Sequence, residues 1–393
     1  MDDIVSQIRA LAGEADTAGR VRVQDALRQV LSQLESPQDT LVQLLNAHLR
    51  IAAVRLGIGS GLFKSLSQSQ HPLQVAQLAA QLCINPQMLA RIVRYLASNG
   101  LIDEVGVGEF KANKSTHIFS DRKAEAFVYH AFDVCGPAVQ VFPDFLDETG
   151  YADITSNTKT PFQKAFNTDL ACFAWLSRHP KLLEEAQQVM KAFQSGDWAV
   201  GFDLFEKEAI RAPKHLERVF LVDVGGGHGH QCVEIRNKFP NLNGQLVLQD
   251  LPEVLNGLPD IPGVKIEAHD FFQEQTVKGA RFYYLRRILH DWPDTLCIKI
   301  LQNLRSAMAD DSQILIDEVV LPDTKVPWQS TMADLMMMVT LGGKERSQEQ
   351  WRCIAEQSGL LVEHIHKYHG SATFNSVVVL VAKGAFERRS SCA

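Results

Sequence analysis

Short apolar segments alternate with helical segments through the second half of the chain, and this pattern restricts the fold more than any other feature. After Arg218 the apolar runs are VFLVDV, QLVLQD, GVKIEAHD, RFYYLR, SQILIDEVV and SVVVLVA. Such runs, separated by helices, are typical of a mostly parallel sheet with helices on both faces. Ligands bind to these sheets at the carboxyl ends of the strands. We therefore predict an α/β fold with a doubly wound, Rossmann-like sheet and a ligand site at those ends.

The first of these strands ends in a glycine-rich loop. Asp223 lies in the strand, and Gly225 and Gly227 follow in the run GGGHG. Glycines let a backbone approach a ligand closely, although an ordinary strand-to-helix turn has the same composition. The spacing is not the GxGxxG of a dinucleotide site, and no lysine follows that would bind a phosphate. The loop alone therefore indicates a ligand only weakly.

The next two strands end in carboxylates. Asp250 and Leu251 follow the second strand, where a carboxylate can accept hydrogen bonds from both hydroxyl groups of a ribose. After the third strand, Asp270 offers an acceptor for an exocyclic amine and Phe271 offers apolar surface for a purine. Each carboxylate has the alternative role of a helix cap. Three such strand ends in succession predict a nucleoside site without phosphate ligands, which favours S-adenosyl-L-methionine over NAD or ATP.

A histidine and three carboxylates accompany the later strands. His290 and Asp291 stand in LHDWPD after the fourth strand, Glu318 closes the fifth, and Glu345 lies in LGGKERS. A lone histidine is more often structural, but carboxylates around its ring would hold one tautomer and increase its basicity. That arrangement suits removal of a proton from a weakly acidic hydroxyl group. We therefore predict His290 as a general base with these carboxylates around it.

The amino-terminal part of the chain has a different organisation. Residues 20–66 carry helical apolar spacing, which indicates packing or an oligomer surface. Two amphipathic helices then meet at Asn85-Pro86, and a β-hairpin with Gly106 and Gly108 follows, a pattern typical of a winged helix. Basic and acidic residues are nearly balanced across residues 71–115, which is too little positive charge for a DNA-binding surface. Dimer contact is the favoured role.

These patterns divide the chain into two predicted domains. We expect a helical, winged-helix dimerisation domain in residues 1–120. Residues 121–393 are the predicted catalytic domain. Its sheet follows further aromatic-rich helices.

Charge and cysteine usage bear on the partners. The formal net charge of −7 provides no general attraction to nucleic acid or an anionic membrane. The seven cysteines form no CxxC pair, which favours reduced thiols over a disulfide framework or a metal site. The amino terminus lacks an apolar segment of signal-peptide length, and no run of eighteen apolar residues occurs. We expect a cytoplasmic protein with no metal, nucleic-acid or membrane partner.

In combination, the motifs resemble a known family. They are similar to the S-adenosylmethionine-dependent O-methyltransferases of the plant caffeate and fungal secondary-metabolite type, in the runs LVDVGGGHGH, LQDLPEVL, AHDFF, GARFYYLRRILHDWPD, DEVVLP, DLMMMV and GGKERS. The resemblance covers nearly the whole chain. It implies a homodimer, a small-molecule substrate and substrate-lining helices in residues 125–195. The implied activity is methylation of an aromatic or pyridone-type fungal secondary metabolite.

The resemblance also implies roles for single residues. His290 matches the catalytic base, and Asp291, Glu318 and Glu345 match its flanking carboxylates. Arg286 lies where plant relatives often have a lysine that contacts the cofactor. The implied cofactor-binding residues are Asp223, Gly225, Gly227, Asp250, Leu251, Asp270, Phe271 and Arg286.

A pericyclase branch of the same family gives a second expectation. GLFKSLSQ, HAF, PDFL and FQKAFNTD resemble the leporin-type enzymes of 2-pyridone alkaloid pathways, which hold S-adenosylmethionine without transferring its methyl group. Their reaction would be dehydration with Diels–Alder, hetero-Diels–Alder or Alder-ene cyclisation. His130 and Lys344 would then donate hydrogen bonds, although a pocket-wall residue and a surface ion pair are the ordinary alternatives. This branch has arginine at the position of His290, so the histidine favours methyl transfer.

Overall fold

The computed structural model describes two compact units. The described residues are 2–192, 198–199, 201–212, 218–242, 245–368 and 375–384. The first unit covers Met1–Gln140 and Phe173–Phe193, and the second covers Val141–Cys172 and Gln194–Ala393. The domain boundary that the sequence predicts at residue 120 stays a prediction.

The helices and strands of the described residues follow one another along both units. In chain order the helices are α1 (Asp2–Glu14), α2 (Thr17–Leu34), α3 (Pro37–Gly59), α4 (Leu62–Gln68), α5 (Val75–Leu82), α6 (Pro86–Ser98), α7 (Lys114–Phe119), α8 (Arg122–Tyr129), α9 (Gly136–Gln140), α10 (Phe142–Thr149), α11 (Pro161–Phe166), α12 (Cys172–Leu176), α13 (Pro180–Ala192), α14 (Asp203–Arg211), α15 (His230–Lys238), α16 (Pro252–Leu255), α17 (Asp294–Arg305), α18 (Trp328–Leu341) and α19 (Gln348–Gln357). A π-helix covers His130–Cys135, and 3₁₀ turns cover Pro240–Leu242 and Leu289–Asp291. The strands are β1 (Leu73–Gln74), β2 (Asp103–Gly106), β3 (Glu109–Lys111), β4 (Leu221–Val224), β5 (Leu246–Asp250), β6 (Val264–Ala268), β7 (Phe282–Arg286), β8 (Gln313–Leu321), β9 (Arg346–Ser347), β10 (Leu360–Lys367) and β11 (Asn375–Ala382).

The first unit contains the predicted winged helix. Strands β1, β3 and β2 form a small antiparallel sheet beside α5 and α6. Asn85 caps α6 by accepting hydrogen bonds from the N–H groups of Gln87 and Met88, and proline occupies the next position. Leu89, Val93 and Leu96 are the buried face of α6, at the three- and four-residue spacing of an amphipathic helix. The local signals at Asn85-Pro86 and in the hairpin therefore predicted this element correctly.

Ion pairing shows why residues beyond 120 belong to the first unit. Arg122 at the start of α8 donates hydrogen bonds to Glu184 and Glu185 of α13. Arg55 of α3 donates to both carboxylate oxygens of Asp133, in the π-helix after α8. These contacts hold α8 and α13 to the amino-terminal helices. The proposed substrate-lining role of residues 125–195 stays a prediction.

The second unit is built on a sheet in the order β10-β11-β8-β7-β4-β5-β6, with β9 pairing along β8. Strands β4 to β8 are mutually parallel, whereas β11 runs antiparallel between β8 and β10. All six predicted strands are present, and the doubly wound sheet is confirmed. The sequence analysis missed β10, because Glu363, His364 and His366 interrupt its apolar run at the edge of the sheet.

The strand residues alternate between two apolar layers. Val222, Leu285 and Ile316 are completely buried on one face, and Leu221 and Phe282 are completely buried on the other. This period of two is what a sheet covered on both faces requires. From β4 the chain moves outward to β5 and β6 on one side and then to β7 and β8 on the other. The loops after these strands therefore meet at the topological switch point.

One helix of the first unit has the length and composition of a membrane span. Helix α3 meets both criteria, and 22% of its most apolar window is buried. A single such helix is weak evidence for a membrane, because an apolar face that packs against protein satisfies the same test.

Candidate active site

The loop after β4 depends on its glycines. Gly225 and Gly227 have φ values of +71° and +59°, in the left-handed region that favours glycine. A Cβ atom at Gly225 would lie 2.7 Å from the side chain of Ile288. A Cβ atom at Gly227 would meet no atom within 4 Å, so the backbone there borders open space. The loop thus presents bare backbone at the carboxyl edge of the sheet.

Asp223 lies beneath this loop. It is 1% exposed, and burial raises the pKa of its carboxyl group to about 7. The Cys232 thiol donates a hydrogen bond to it at 3.6 Å. A Cβ atom at Gly226 would lie 2.4 Å from its carboxyl carbon. Asp223 therefore supports the loop from within the sheet, and a direct cofactor contact stays a prediction.

Asp250 connects the end of β5 to the glycine loop. Its Oδ2 atom accepts a hydrogen bond from the N–H group of Gly227 at 2.7 Å, and its Oδ1 atom accepts one from the N–H group of Leu251 at 2.7 Å. Burial raises the pKa of Asp250, and these two N–H groups oppose that shift. A carboxylate has about four acceptor positions. The two remaining acceptor positions are of the kind that accepts hydrogen bonds from ribose hydroxyl groups.

The end of β6 adds an apolar border. Asp270 accepts a hydrogen bond from the N–H group of Phe272 at 2.9 Å. The half-buried ring of Phe271 lies 6.0 Å from that of Trp292, centroid to centroid. It also lies 3.5 Å from the Cβ position of Gly225. The glycine loop, the Asp250 carboxylate and this aromatic border are therefore adjacent. Such an arrangement fits a nucleoside cofactor such as S-adenosylmethionine.

Arg286 at the end of β7 belongs to a buried ion pair. Its Nη1 atom lies 2.9 Å from Oδ2 of Asp317. The hydroxyl groups of Tyr284 and Tyr368 donate to the same carboxylate at 2.7 and 2.8 Å. Burial lowers the pKa of Arg286, but the anionic surroundings outweigh it and raise the pKa. The structure thus shows Arg286 in an ion pair, and a contact between Arg286 and the cofactor stays a prediction.

Four predicted catalytic residues meet at the next strand ends. His290 lies in the 3₁₀ turn after β7, and its Nδ1 atom is 2.9 Å from Oε1 of Glu345. The Oε2 atom of Glu318 is 3.8 Å from the same nitrogen. The Oδ1 atom of Asp291 is 3.3 Å from Nε2 on the other side of the ring. Carboxylates therefore face both nitrogens of the imidazole.

Glu318 also holds the backbone of this turn. Its Oε1 atom accepts hydrogen bonds from the N–H groups of Ile288, Leu289 and His290, at 3.0, 3.0 and 3.4 Å. A carboxylate that accepts several N–H groups fixes the chain around it. Because Ile288 also contacts the glycine loop, the turn that carries His290 is placed beside the predicted cofactor site.

The cluster has unusual proton affinities. Burial lowers the pKa of His290, but Glu318, Asp291 and Glu345 outweigh it and raise the pKa to about 10. Burial raises the pKa of Asp291 to about 6, against the effect of His290. Burial also raises the pKa of Glu318. The surrounding carboxylates therefore favour the protonated form of the imidazole.

The same residues are of types that bind metal ions. His290, Glu318 and Glu345 each offer one ligand atom, and these atoms lie within 4.8 Å of one another. Carboxylates around an imidazolium produce the same arrangement. We interpret the cluster as an ion-paired histidine.

The two candidate donors of the pericyclase alternative lie in different units. Lys344 pairs with Asp294 at 2.7 Å rather than with Glu345. His130 begins the π-helix of the first unit. Its Nδ1 atom is buried without a hydrogen-bond partner among the described residues, and burial lowers its pKa. The imidazole of His130 is therefore neutral at pH 7.

Three residues beside the site were not predicted from the sequence. Asp317 forms an ion pair with Arg286, and Asp294 forms ion pairs with Lys344 and Arg346. The side chain of Arg346 is completely buried. Two of them are sequence neighbours of predicted residues, Asp317 of Glu318 and Arg346 of Glu345. That adjacency was the available signal.

Comparison with known proteins identifies the family of this chain. An O-methyltransferase domain matches residues 151–361, and an O-methyltransferase dimerisation domain matches residues 42–115. The first match covers more than half of the chain. The chain belongs to the O-methyltransferase family. S-adenosylmethionine is the cofactor of this family, and the member described here is a methyltransferase-fold enzyme.

Two relatives from Aspergillus flavus illustrate the range of the family. The chain is 38% identical to demethylsterigmatocystin 6-O-methyltransferase over 384 residues, which cover 98% of each protein. It is 37% identical to O-methyltransferase lepI over 369 residues, covering 93% of this chain and 95% of the relative. A solved structure of LepI in complex with SAM matches with a TM-score of 0.91 at 35% identity, covering 97% of this chain and 98% of that one. A structure described as a pericyclic reaction enzyme matches equally well, at TM-score 0.91 and 35% identity over 97% of this chain and 98% of that one.

Proposed function

We propose that this chain transfers a methyl group from S-adenosylmethionine to a hydroxyl group of an aromatic or pyridone-type fungal secondary metabolite, with His290 as the general base. One observation carries the proposal. The ring of His290 lies between Glu345, at 2.9 Å from Nδ1, and Asp291, at 3.3 Å from Nε2. Ile288 directly precedes the same turn, and a Cβ atom added at Gly225 would lie 2.7 Å from its side chain. A base is thus held next to the proposed cofactor site.

The proton affinity of His290 supports an acidic hydroxyl group as substrate. Surrounding carboxylates raise the pKa of His290 to about 10 against the effect of burial. Phenolic hydroxyl groups, with a pKa of about 10, are far more acidic than aliphatic ones, whose acidity is closer to that of water at about 15.7. A basic imidazole therefore removes the proton of a phenol more readily than that of an alcohol.

The chain's own residues would bind the cofactor and orient the base. The loop of Gly225 and Gly227 would take the amino-acid and sulfonium part, Asp250 the ribose, and Asp270 with Phe271 the adenine. When bound, S-adenosylmethionine supplies an electrophilic methyl group or, in a pericyclase, only the positive charge of its sulfonium. Glu345 would hold the His290 ring through Nδ1. Asp291 would leave Nε2 as the substrate oxygen approaches.

A pericyclase is the second candidate. The likeness to a structure described as a pericyclic reaction enzyme, at 35% identity, favours it. The half-buried His130, whose Nδ1 atom is buried in a π-helix, is the residue feature that supports it, because π-helical turns frequently occur at functional sites. Lys344 is less suited as a donor, since its ammonium group already pairs with Asp294.

A homodimer is proposed from the first unit. Helix α3 exposes several large apolar side chains, namely Leu41, Val42, Leu44, Leu45, Leu49 and Leu56. Exposed apolar surface of this extent marks an interface. The dimerisation-domain match begins at residue 42 and includes most of this helix. We propose that a second copy covers this face, rather than a membrane, and that the enzyme works in the cytoplasm.

Mass spectrometry with methyl-labelled S-adenosylmethionine distinguishes the two functions. The full-length enzyme is incubated with phenolic and 2-pyridone alcohol substrates. Label in the product, with S-adenosylhomocysteine formed in equal amount, supports methyl transfer. Loss of water or isomerisation of a pyridone alcohol with the label retained in the cofactor supports the pericyclase instead. A His290→Ala variant run in parallel assigns the activity to this site.

A further inference from the structure

Arg346 is a completely buried cation beside the His290 cluster. Its Nη1 atom donates to the carbonyl oxygen of Leu289 at 3.0 Å, and its Nη2 atom donates to that of Trp292 at 2.8 Å. Leu289 begins the 3₁₀ turn that contains His290, and Trp292 follows its end. One guanidinium group therefore holds both ends of the turn that carries the base.

The same guanidinium group holds two further segments. Its Nη1 atom donates to the carbonyl oxygen of Lys344 at 3.2 Å. Its Nε and Nη2 atoms donate to Oδ1 of Asp294, at the start of α17, at 3.0 and 2.8 Å. Trp351 covers it from another side, with its ring centroid 5.3 Å from the guanidinium carbon. The donors of the fork are thus directed at acceptors on three chain segments.

The backbone around Arg346 supports the same connection. Arg346 lies in β9, where it pairs with Val320 at the end of β8, the strand that carries Glu318. Glu345 precedes it directly. A Cβ atom at Gly343 would lie 1.9 Å from the carbonyl oxygen of His290, so the two backbones are in close contact there.

We propose that Arg346 is a positioning residue that sets the placement of His290 against Glu345 and Glu318, a role that rests on the proposed function of His290. The hydrogen-bonding fork of arginine is required for it. Lysine carries the same charge, but its single ammonium group cannot reach acceptors spread over a planar fork. A misplacement of about 1 Å at a catalytic group can reduce a rate by about 10²-fold.

A positioning role of Arg346 and a purely structural role predict different environments for the His290 ring. The charged groups that act on this ring are Asp291, Glu318 and Glu345, and Arg287 acts on the first two of these carboxylates. Displacing the turn from Glu345 and Glu318 weakens the attraction between these carboxylates and the imidazolium. A role confined to stability would leave the ring's environment unchanged in the folded protein.

The test compares Arg346→Lys with Arg281→Lys in the full-length enzyme. Arg281 is a matched control, because it is also buried, at 8% exposure. Arg281 lies just before β7, at the opposite end of that strand from Arg286. Its guanidinium group donates to Glu208 and to the carbonyl oxygen of Asp311. The His290 ring is followed by ¹⁵N NMR as a function of pH, with His290→Asn to assign its signals. Methyl transfer and S-adenosylhomocysteine binding are measured on the same samples.

We expect Arg346→Lys to lower the titration midpoint of His290 by about one pH unit or more and kcat by about 10²-fold, with cofactor binding retained. Arg281→Lys should reduce thermal stability while leaving both quantities unchanged. A folded Arg346→Lys variant with an unchanged midpoint overturns the proposal. If that variant does not fold, Asp294→Asn, which removes the charged acceptor, must produce a smaller shift in the same direction, and no shift overturns the proposal. Absence of methyl transfer in the wild type contradicts the proposed function alone, because the NMR comparison still decides the role of Arg346.

Discussion

The Nδ1 atom of His290 lies 2.9 Å from Oε1 of Glu345, although the two residues are 55 positions apart in the chain. On the other side of the ring, Oδ1 of Asp291 lies 3.3 Å from Nε2. Because both nitrogens face carboxylates, the ring has a defined orientation and a strong preference for its protonated form. The reactivity proposed for the site depends on this arrangement.

Replacing His290 with alanine should remove the proposed general base. We expect kcat for methyl transfer to fall by about 10² to 10⁴-fold, the usual contribution of a positioned base. Binding of S-adenosylmethionine should be retained, because His290 is not among the proposed cofactor residues, which include Gly225 and Gly227 after β4 and Asp250 at the end of β5. Steady-state kinetics and calorimetry measure the two quantities. Full turnover by the variant would eliminate His290 as the base.

The rate of methyl transfer should depend on pH through His290. Only the neutral imidazole accepts a proton, and the surrounding carboxylates raise the pKa of His290 to about 10 in the free enzyme, so kcat/KM should rise with pH from neutrality toward that value. Glu345→Gln removes one of the three raising carboxylates, so the rising limb should move to lower pH. Glu349→Gln is the control, since the Glu349 side chain is 82% exposed in the same part of the chain. An identical profile for wild type and Glu345→Gln would contradict the assigned pairing.

Asp250→Ala should weaken cofactor binding. The substitution removes the proposed ribose acceptor and also the hydrogen bond that Gly227 donates to Oδ2. Hydrogen bonds to a charged group contribute about 1.5–3 kcal/mol each, so we expect a loss of affinity of at least about tenfold. Asp260→Ala, at an exposed position after the same strand, serves as the control. Equal affinities of the two variants by calorimetry would remove Asp250 from the cofactor site.

A charge on α3 should separate the proposed dimer. Leu45 is 73% exposed in the isolated chain. Burying an unpaired carboxylate in an interface costs several kcal/mol, so Leu45→Asp should weaken association by about 10²-fold or more. Ile210→Asp, at a residue of 72% exposure on α14, should leave the assembly unchanged. Analytical ultracentrifugation reports the mass of each variant, and a stable Leu45→Asp dimer would place the interface elsewhere.

Arg286→Met should destabilise the second unit. It removes the cation that pairs with the buried carboxylate of Asp317 at 2.9 Å. Breaking a buried ion pair from one side costs about 3–5 kcal/mol. Arg211→Met, at a side chain of 70% exposure, should change the free energy of unfolding by less than about 1 kcal/mol. Urea denaturation compares them, and equal stabilities would show that the Arg286 pair contributes nothing net.

Much of the sheet was predictable because its signals are local. Continuous apolar runs identified β4 to β8 and β11, and the glycines after β4 identified the turn at Gly225 and Gly227. The edge strand β10 was missed, since Glu363, His364 and His366 remove the apolar run that marks a buried strand. Resemblance to the family placed His290, Glu318 and Glu345 at one site.

The amino-acid sequence by itself determined which residues lie at the strand ends, because side-chain periodicity and turn propensities act over a few neighbouring residues. Only the tertiary structure decided the partners. Arg286 pairs with Asp317, Lys344 pairs with Asp294, and the fork of Arg346 reaches Leu289 and Asp294. These pairings depend on distances of about 3 Å between segments that the chain separates by tens of residues. Such distances follow from packing of the whole unit, which local sequence patterns do not specify.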